Sequence, residues 1–287
     1  MASNMKAVKL RIKSVQSTMQ ITKAMELVAS SKLRKAKERA DQCRAYYLEL
    51  YQNLKDIADG NTDFTSVYVR ESANPKRCYI VIAGDRGLAG GYNSNLFKVL
   101  EARAQGQDYS VLPVGKKAVE YFKRRKTPII TEQFAEIASV SVSDCFTMAH
   151  LLSREFRDGA FGHIDLCYTR FFSMLSQRPD SLTMLPLADM TEADLPDQQK
   201  SIRNLILYEP NAAEVYDAIV PEYLAGVIYG AICESVASEL AARRNAMDNA
   251  TKNAGEMIEQ LNLYYNRARQ ASITQEITEI VAGAEGV

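Results

Sequence analysis

A glycine-rich turn at residues 84–93 is the stretch of this sequence that most suggests chemistry. It follows a β-rich apolar run, precedes a helical pattern, and reads Gly-Asp-Arg-Gly-Leu-Ala-Gly-Gly-Tyr-Asn. A strand, a glycine-rich turn and a helix N-terminus together can cradle a phosphate. These glycines lack the spacing of dinucleotide-binding turns, and no Gly-Lys-Ser/Thr brings a lysine and a hydroxyl to phosphate and metal. Glycines that allow positive φ angles and close helix packing at a strand end are the simpler interpretation.

The remaining reactive side chains form no recognisable catalytic pattern. The two histidines, His150 and His163, lie outside any paired-ligand spacing. Asp144, Asp158 and Asp165 belong to no motif that singles out an acid–base pair. The five cysteines occur without C-x-x-C spacing, which favours a reducing compartment. We therefore predict a chain that is not an enzyme and holds no cofactor or metal ion.

The residues around the glycine-rich turn predict an α/β domain over residues 59–209. Short β-rich runs alternate there with helical patterns, which is typical of a Rossmann-like domain with a largely parallel sheet. The predicted strands are residues 78–83, 110–114, 128–131, 164–172 and 181–186.

Residues 1–58 predict a single long helix. Apolar or small residues recur at alternating spacings of three and four, with Thr22 and Glu26 as the polar exceptions. A seven-residue repeat sustained over this length keeps one stripe facing a partner helix, as in a left-handed coiled coil. The stripe consists of Met5, Val8, Ile12, Val15, Met19, Thr22, Glu26, Ala29, Leu33, Ala36, Ala40, Cys43, Tyr47, Leu50, Leu54 and Ile57.

The partner is predicted at the other end of the chain, over residues 210–287. No proline follows Pro221, and the same spacing continues with Arg243 as the one charged position. The two helices are expected to form an antiparallel hairpin shaft into which the α/β domain is inserted. The second stripe consists of Cys233, Val236, Leu240, Arg243, Met247, Ala250, Ala254, Met257, Leu261, Tyr264 and Ala268.

An antiparallel pair of this kind predicts a register. Residues at equal depth should have numbers that sum to roughly 268, because both helices rise by about 1.5 Å per residue. Glu26 then lies opposite Ala242 and Arg243. An isolated charge in a coiled-coil seam is costly, whereas a matched pair fixes the register. We therefore predict an ion pair between Glu26 and Arg243 in the shaft.

The same register leaves the C-terminal helix without an intramolecular partner from about residue 268. The old stripe becomes small or polar there, while Ile273, Ile277 and Ile280 lie on another face. A solitary helix with an exposed apolar strip is marginal in water, which favours enclosure of this tip by another protein. A frayed tail is the alternative.

The charge distribution also suggests a partner. Residues 1–44 contain eleven Lys or Arg against three acidic residues, although the whole chain carries no net charge. This asymmetry indicates an acidic partner beside the basic segment, and a solvated basic helix face is the alternative.

The longest apolar run, residues 224–233, is predicted to be no membrane span. A bilayer needs about 18 apolar residues or more, and this run is shorter. Gly226 and Gly230 within it are expected either to admit a neighbouring backbone or to be ordinary helix glycines.

Three ordered motifs resemble those of the gamma subunits of F-type ATP synthases, and the resemblance covers the whole chain. Residues 11–34, RIKSVQSTMQITKAMELVASSKLR, resemble the opening of that family. Residues 265–284, YNRARQASITQEITEIVAGA, resemble its C-terminal signature. The glycine-rich stretch at residues 85–95 resembles a third family motif, with Ala89 where a cysteine is frequent.

The resemblance implies a rotary central stalk that couples ion translocation to ATP synthesis or hydrolysis. A single copy would turn inside a ring of alpha and beta subunits, while the α/β domain contacts epsilon and the membrane c-ring. It implies a peripheral location at the cytoplasmic face of the bacterial plasma membrane, reached only through the complex, and no nucleic acid. By resemblance, the beta contacts are Lys23, Met25, Arg243 and Arg244, and the contacts with the crown of the ring are Gln270, Thr274, Glu276 and Thr278.

Two other functions stay open from the residues alone. One is a nucleotide-binding enzyme with a coiled-coil arm, which ATP binding would reveal. The other is a nucleic-acid binder that uses the basic helix, with an affinity that falls steeply with salt. Neither explains the unpaired tip.

Overall fold

The computed structural model describes residues 2–60, 65–187 and 208–285, in which two long helices bracket an α/β region as predicted. A short 3-10 turn at Ile137–Ser139 precedes the fourth helix. The other elements, in chain order, are α1 (Ala2–Gly60), β1 (Arg77–Ile82), α2 (Tyr92–Ala104), β2 (Tyr109–Val114), α3 (Lys116–Arg125), α4 (Val142–Arg157), β3 (His163–Phe171), β4 (Gln177–Leu185) and α5 (Ala212–Glu285).

The chain forms two compact units. The first comprises Met1–Ser31 and Arg243–Val287, and the second is Lys32–Ala242. Helices α1 and α5 each contribute residues to both units. These units do not coincide with the predicted regions 1–58, 59–209 and 210–287. The predicted regions divide the chain by function and stay a prediction.

The heptad stripe of α1 is confirmed by burial. Each stripe position from Met5 to Ile57 is buried or half-buried, whereas most residues between them are exposed. The burial extends to the two polar positions, since Thr22 and Glu26 are only 8% and 9% exposed. One face of α1 is therefore committed to packing from Met5 to Ile57.

The stripe of α5 is confirmed as far as Ala254, and beyond it two of its four positions are wrong. Leu261 and Ala268 are half-buried as predicted. Met257 and Tyr264 are exposed, and the next residues, Ile258 and Tyr265, are half-buried in their place. The seven-residue repeat is therefore kept at positions 254, 261 and 268, while the intermediate positions are shifted by one residue.

Helix α5 contains an 18-residue window that is apolar enough, by length and composition, to cross a membrane. The window is 78% buried inside the protein. Side chains of α5 in the main core include Tyr216, Val220, Leu224 and Ile228. Most of this apolar window is thus accounted for by packing inside the protein.

Within the same unit, Gly226 and Gly230 admit an aromatic side chain from α1. A Cβ on Gly230 would lie 2.8 Å from a ring carbon of Tyr47, and one on Gly226 would lie 3.2 Å from the Cβ of Tyr47. The expected approach of a neighbouring backbone is wrong, because the groups that lie closest are the side chains of Tyr46 and Tyr47. The absence of a side chain at both positions of α5 makes room for these aromatic groups.

The sheet is largely parallel, with the strand order β2-β1-β3-β4. Strand β1 pairs in parallel with β2 and β3, and β4 pairs antiparallel with β3 at the edge. Alternate residues of β1 enter two cores: Cys78 and Ile80 face residues of α1, α4 and α5, while Tyr79 and Val81 face α2 and α3. Both faces are covered, which explains why the parallel strands read as continuous apolar runs.

The predicted strand at residues 128–131 is wrong. This segment makes a single parallel bridge, between Ile129 and Val111 of β2. Val111 donates to the carbonyl of Pro128 and accepts from Ile130, both at 2.9 Å. Pro128 has no N–H to donate, which limits the pairing of this segment.

A buried carboxylate fastens β3 to its neighbours. Asp165 is fully buried, and its two oxygens accept from Arg77 at 2.8 Å and from Arg103 of α2 at 3.4 Å. The Thr183 hydroxyl on β4 donates to the same carboxylate at 2.7 Å. Asp165 thereby links three strands and a helix, which is a structural task and not an acid–base one.

Replacing Asp165 with asparagine is expected to lower the free energy of unfolding by about 3 kcal/mol, because breaking a buried ion pair leaves its cations uncompensated. Urea unfolding of the full chain, followed by circular dichroism, measures the loss. Asp180 provides the control, since its pair with Arg170 is about half exposed and Asp180→Asn should change stability by less than about 0.5 kcal/mol. Equal effects of the two substitutions would contradict this role.

Candidate functional site

The glycine-rich turn after β1 is occupied by the protein's own groups. The carboxylate of Asp85 accepts backbone N–H bonds from Lys116 at 3.1 Å, Ile137 at 3.0 Å and Ala138 at 3.2 Å. Asp85 therefore accepts hydrogen bonds from backbone N–H groups of the kind that a bound phosphate would need. The same hydrogen bonds connect the turn to two neighbouring segments.

Close helix packing is the role of the first glycine of this turn, as expected. Its N–H donates to the Asn93 side chain at 2.9 Å. A Cβ on Gly84 would lie 2.7 Å from the carboxyl group of Glu239 on α5, a residue that is 7% exposed. Two carboxylates beside the turn repel an anionic ligand. Gly90 adopts a positive φ of 57°, as a turn glycine should.

The other candidate chemical groups lie apart or have structural partners. His150 is exposed, and burial together with nearby Arg77 lowers the pKa of His163. Asp144 closes the capping box of α4 by accepting from the Ser141 N–H at 2.8 Å. Among residues 2–60, 65–187 and 208–285, no cluster of three or more His, Cys, Asp or Glu could hold a metal ion.

The first unit contains a hydroxyl pair in the seam between α1 and α5. Thr22 Oγ1 and Thr251 Oγ1 lie 2.8 Å apart. Each is also within hydrogen-bond distance of a carbonyl of its own helix, Met19 O at 3.0 Å and Met247 O at 2.9 Å. The two hydroxyl groups have two protons for three contacts: one between the hydroxyls and one from each hydroxyl to a carbonyl. At any moment one of these three contacts therefore lacks a proton.

This hydroxyl pair corrects the predicted register. Residue numbers at equal depth sum to 273 at the Thr22–Thr251 contact, five more than expected. Met247, which is 5% exposed, therefore lies at the depth of Glu26. Thr251 was missed because the predicted stripe passed through Ala250 and Ala254. The available signal was the position of Thr251 directly beside the stripe position Ala250.

The predicted beta-contact residues lie together in this first unit. Lys23 is exposed and Met25 is half-buried on α1, and Arg243 and Arg244 are half-buried on α5. The Lys23 Nζ lies 3.0 Å from Glu26 Oε2. The corrected register moves Arg243 four residues, about 6 Å, from the depth of Glu26. Their ion pair stays a prediction.

The predicted crown-contact residues lie on an exposed stretch of α5. Gln270 is exposed, and every described side chain from 273 to 282 is exposed, including Thr274, Glu276 and Thr278. Large apolar side chains are among them: Ile273, Ile277 and Ile280 are 48%, 56% and 71% exposed. Exposed apolar strips of this kind are typical of surfaces that bind other proteins.

The hydroxyl pair gives a testable energetic coupling. Thr22→Val and Thr251→Val should each cost about 1 kcal/mol of unfolding free energy, with a coupling of about 0.5–1 kcal/mol in the double variant. Thr18→Val is the control, since the Thr18 hydroxyl is exposed and bonds only to the Ser14 carbonyl of its own helix among the described contacts. Strictly additive losses, measured by urea unfolding of the full chain, would show that the pair does not connect the helices.

Comparison with known proteins supports the resemblance of the three motifs. A family model described as ATP synthase matches residues 4–287. The ATP synthase gamma chain of Ruminococcus albus is 47% identical over 97% of this chain and 96% of its own length. The sodium-ion-specific ATP synthase gamma chain of Acetobacterium woodii is 38% identical over the full length of both chains.

Solved structures share the fold. A rotor chain of the Euglena gracilis mitochondrial ATP synthase matches 95% of this chain and 100% of its own length, with a TM-score of 0.64 and 16% identity. A chain from the central stalk and c-ring of the Tetrahymena thermophila enzyme covers 80% of this chain and 99% of its own length, with a TM-score of 0.56 and 24% identity. Full-length similarity in sequence, together with this fold, shows that the chain belongs to the gamma-chain family of ATP synthases.

Proposed function

We infer that this chain is the non-catalytic central-stalk subunit of an F-type ATP synthase and transmits torque between the membrane c-ring and the alpha/beta catalytic ring. The observation that carries this inference is the full-length similarity to ATP synthase gamma chains. The fold suits the role, since two long helices provide a shaft and the α/β domain provides a separate surface for attachment.

Torque transmission requires an asymmetric shaft and not a catalytic group. A shaft that presents different faces to equivalent catalytic sites contacts each site differently, so its rotation biases their conformational equilibria in turn. The catalytic residues belong to the ring. The structural tasks of Asp85, Asp144 and Asp165 agree with this division of labour.

Beta subunits meet the shaft in the first unit. The acidic lever loops of beta face Lys23, Met25, Arg243 and Arg244, which are exposed or half-buried there. The excess of Lys and Arg in residues 1–44 favours the approach of acidic loops through long-range attraction. Glu26 keeps Lys23 oriented on this surface at 3.0 Å.

The crown of the alpha/beta ring encloses the tip of α5. Gln270, Thr274, Glu276 and Thr278 provide polar contacts, and the exposed isoleucines on the same stretch supply apolar area. The Thr278 hydroxyl already donates to the Thr274 carbonyl at 2.8 Å, which leaves its lone pairs for a donor on the ring. Enclosure removes the apolar strip from water.

The α/β domain attaches the shaft to epsilon and to the c-ring. The chain is thus part of a membrane-associated complex, with its own location at the cytoplasmic face of the bacterial plasma membrane and one copy in each complex. The related solved chains come from a rotor and from a central stalk with its c-ring.

The competing functions have specific tests. A nucleotide-binding enzyme is disfavoured by the carboxylates of Asp85 and Glu239 at the glycine-rich turn, and we expect no heat of binding when the isolated full chain is titrated with magnesium ATP. A nucleic-acid binder would show an affinity for duplex DNA that falls steeply between 50 and 200 mM salt, on the order of a thousandfold for six phosphate contacts. We expect no such binding.

Assembly with the ring tests the proposed function. The full chain is mixed with the cognate alpha and beta subunits, and the products are separated by size and assayed for ATP hydrolysis. We expect one copy of the chain in a complex that hydrolyses ATP faster than alpha and beta alone. Failure to assemble with folded cognate subunits would overturn the proposal.

A further inference from the structure

Two thiols face each other across α1 and α5 in the second unit. Cys43 Sγ and Cys233 Sγ lie 3.9 Å apart, within the range of a sulfur hydrogen bond. Cys43 occupies a stripe position of α1 and Cys233 the first stripe position of α5. All five cysteines of the chain are free thiols. A disulfide needs a sulfur–sulfur distance of about 2.05 Å, so the two sulfurs must move closer by about 1.85 Å.

We propose that Cys43 and Cys233 form an oxidation site at which a low-molecular-weight disulfide converts the two thiols into a covalent bond between the shaft helices. The site is independent of the role in torque transmission. The disulfide would fix the relative position of α1 and α5 in this unit. Without it, the two helices are held together by non-covalent contacts.

The reaction is a two-step thiol–disulfide exchange. The Cys43 thiolate attacks the reagent disulfide RSSR, forms a mixed disulfide and releases RS⁻. The Cys233 thiolate then attacks the Cys43 sulfur and releases the second RS⁻. The two thiol protons pass to the two released thiolates, so the protein loses two electrons and the reagent is reduced to two RSH.

Exposure decides which thiol reacts first. Cys43 is half-buried, whereas Cys233 is only 7% exposed, so the reagent reaches Cys43 and the internal step follows. Burial raises the pKa of Cys43, and it raises the pKa of Cys233 to about 12 despite a hydrogen bond with Tyr229. The thiolate is the reactive form, so the rate should rise about tenfold for each pH unit between 7 and 8.

The other cysteines offer controls. Cys145 is near enough for each of the two thiols to influence its pKa electrostatically, but it is fully buried on α4. Cys78 and Cys167 are buried on β1 and β3, and Cys167 donates to the Ser181 hydroxyl at 3.3 Å. These three thiols should stay unmodified in the folded chain.

The experiment treats the full, folded chain with 2-hydroxyethyl disulfide, blocks remaining thiols with an alkylating agent, and maps the products by mass spectrometry. We expect a linked peptide pair containing Cys43 and Cys233, in at least about tenfold excess over the mixed disulfides, because prepositioned thiols react at a high effective concentration. Dithiothreitol should reverse the link. Cys145→Ser should give the same yield, while Cys43→Ser and Cys233→Ser should give no link.

The wild-type peptide map decides the result even if a serine variant fails to fold. A native chain in which Cys43 stops at the mixed disulfide would overturn the proposal. A link to Cys145, or a link between Cys43 and Cys233 that forms only in urea, would overturn it as well.

Discussion

Replacing Met25 with lysine should lower the number of ions transported per ATP by roughly fivefold in the assembled complex, while the chain keeps its fold. Met25 is half-buried, and methionine and lysine have similar helix propensities. The new ammonium group would meet the acidic lever loop of beta proposed above. An extra ion pair of about 1 kcal/mol would form in one rotary position and be lost in the next. It would change the equilibrium between the two positions by a factor of roughly five.

The measurement compares ATP hydrolysis with ion uptake in sealed vesicles that contain the complete complex. We expect hydrolysis to persist, because the catalytic residues lie in the ring, while uptake per ATP falls. Met25→Gln is the matched control, since it has a similar length and no charge and should leave the ratio near that of the wild type. Unchanged ion uptake per ATP in the lysine variant would contradict the proposed contact of Met25 with beta.

Replacing Gly115 with alanine should cost about 4 kcal/mol of unfolding free energy, the largest stability loss we expect. Gly115 connects β2 to α3 with a φ of 96°, a conformation that strains any residue with a Cβ. A Cβ there would lie 2.0 Å from the Ala83 carbonyl oxygen, so the backbone itself must move. The Gly115 N–H also donates to Phe134 O at 3.0 Å.

Urea unfolding of the full chain, followed by circular dichroism, measures this loss. Gly87→Ala is the control, because no atom of residues 2–60, 65–187 or 208–285 lies within 4 Å of a Cβ built there and its φ is not positive. It should change the unfolding free energy by less than about 0.5 kcal/mol. Similar unfolding free energies of the two variants would contradict the prediction, because the turn after β2 would then accept a Cβ without strain.

The long helices and the sheet could be predicted because each has a repeating physical signal. The stripe of α1 survives with Thr22 and Glu26 buried in it, since packing of the whole stripe outweighs the cost of two polar positions. The parallel strands were visible as apolar runs covered on both faces. The failure at residues 128–131 is local, because a β-rich composition does not reveal how many partners Pro128 allows.

The register could not be predicted from the helix ends. The predicted sum of roughly 268 assumed that the inserted α/β domain brings residues 57 and 211 to the same depth. The Thr22–Thr251 contact gives a sum of 273 instead, so the helix ends do not define the register of the seam. The Asp165 cluster was equally hidden, because Arg77, Arg103 and Thr183 are distant in sequence and meet only through the sheet and α2.

The positions proposed for the interaction surfaces could be inferred from the sequence, and their contacts could not. Charge excess and an apolar strip are properties of one chain, and they marked the basic segment and the tip around Ile277. The energy of a contact depends on both surfaces, so the roles of Arg243, Gln270 and Glu276 stay predictions. The sequence placed Cys43 and Cys233 in the two stripes, but their contact could not be predicted, because the predicted register did not bring them to the same depth.

Rotation of this chain inside the alpha/beta ring tests the central claim most directly. The ring is immobilised, a fluorescent bead is attached to the α/β domain of the full chain, and ATP is added under a microscope. We expect rotation in one direction with three resting positions a third of a turn apart, one for each catalytic site. Sustained ATP hydrolysis by the same complexes with a stationary bead would contradict a torque-transmitting shaft.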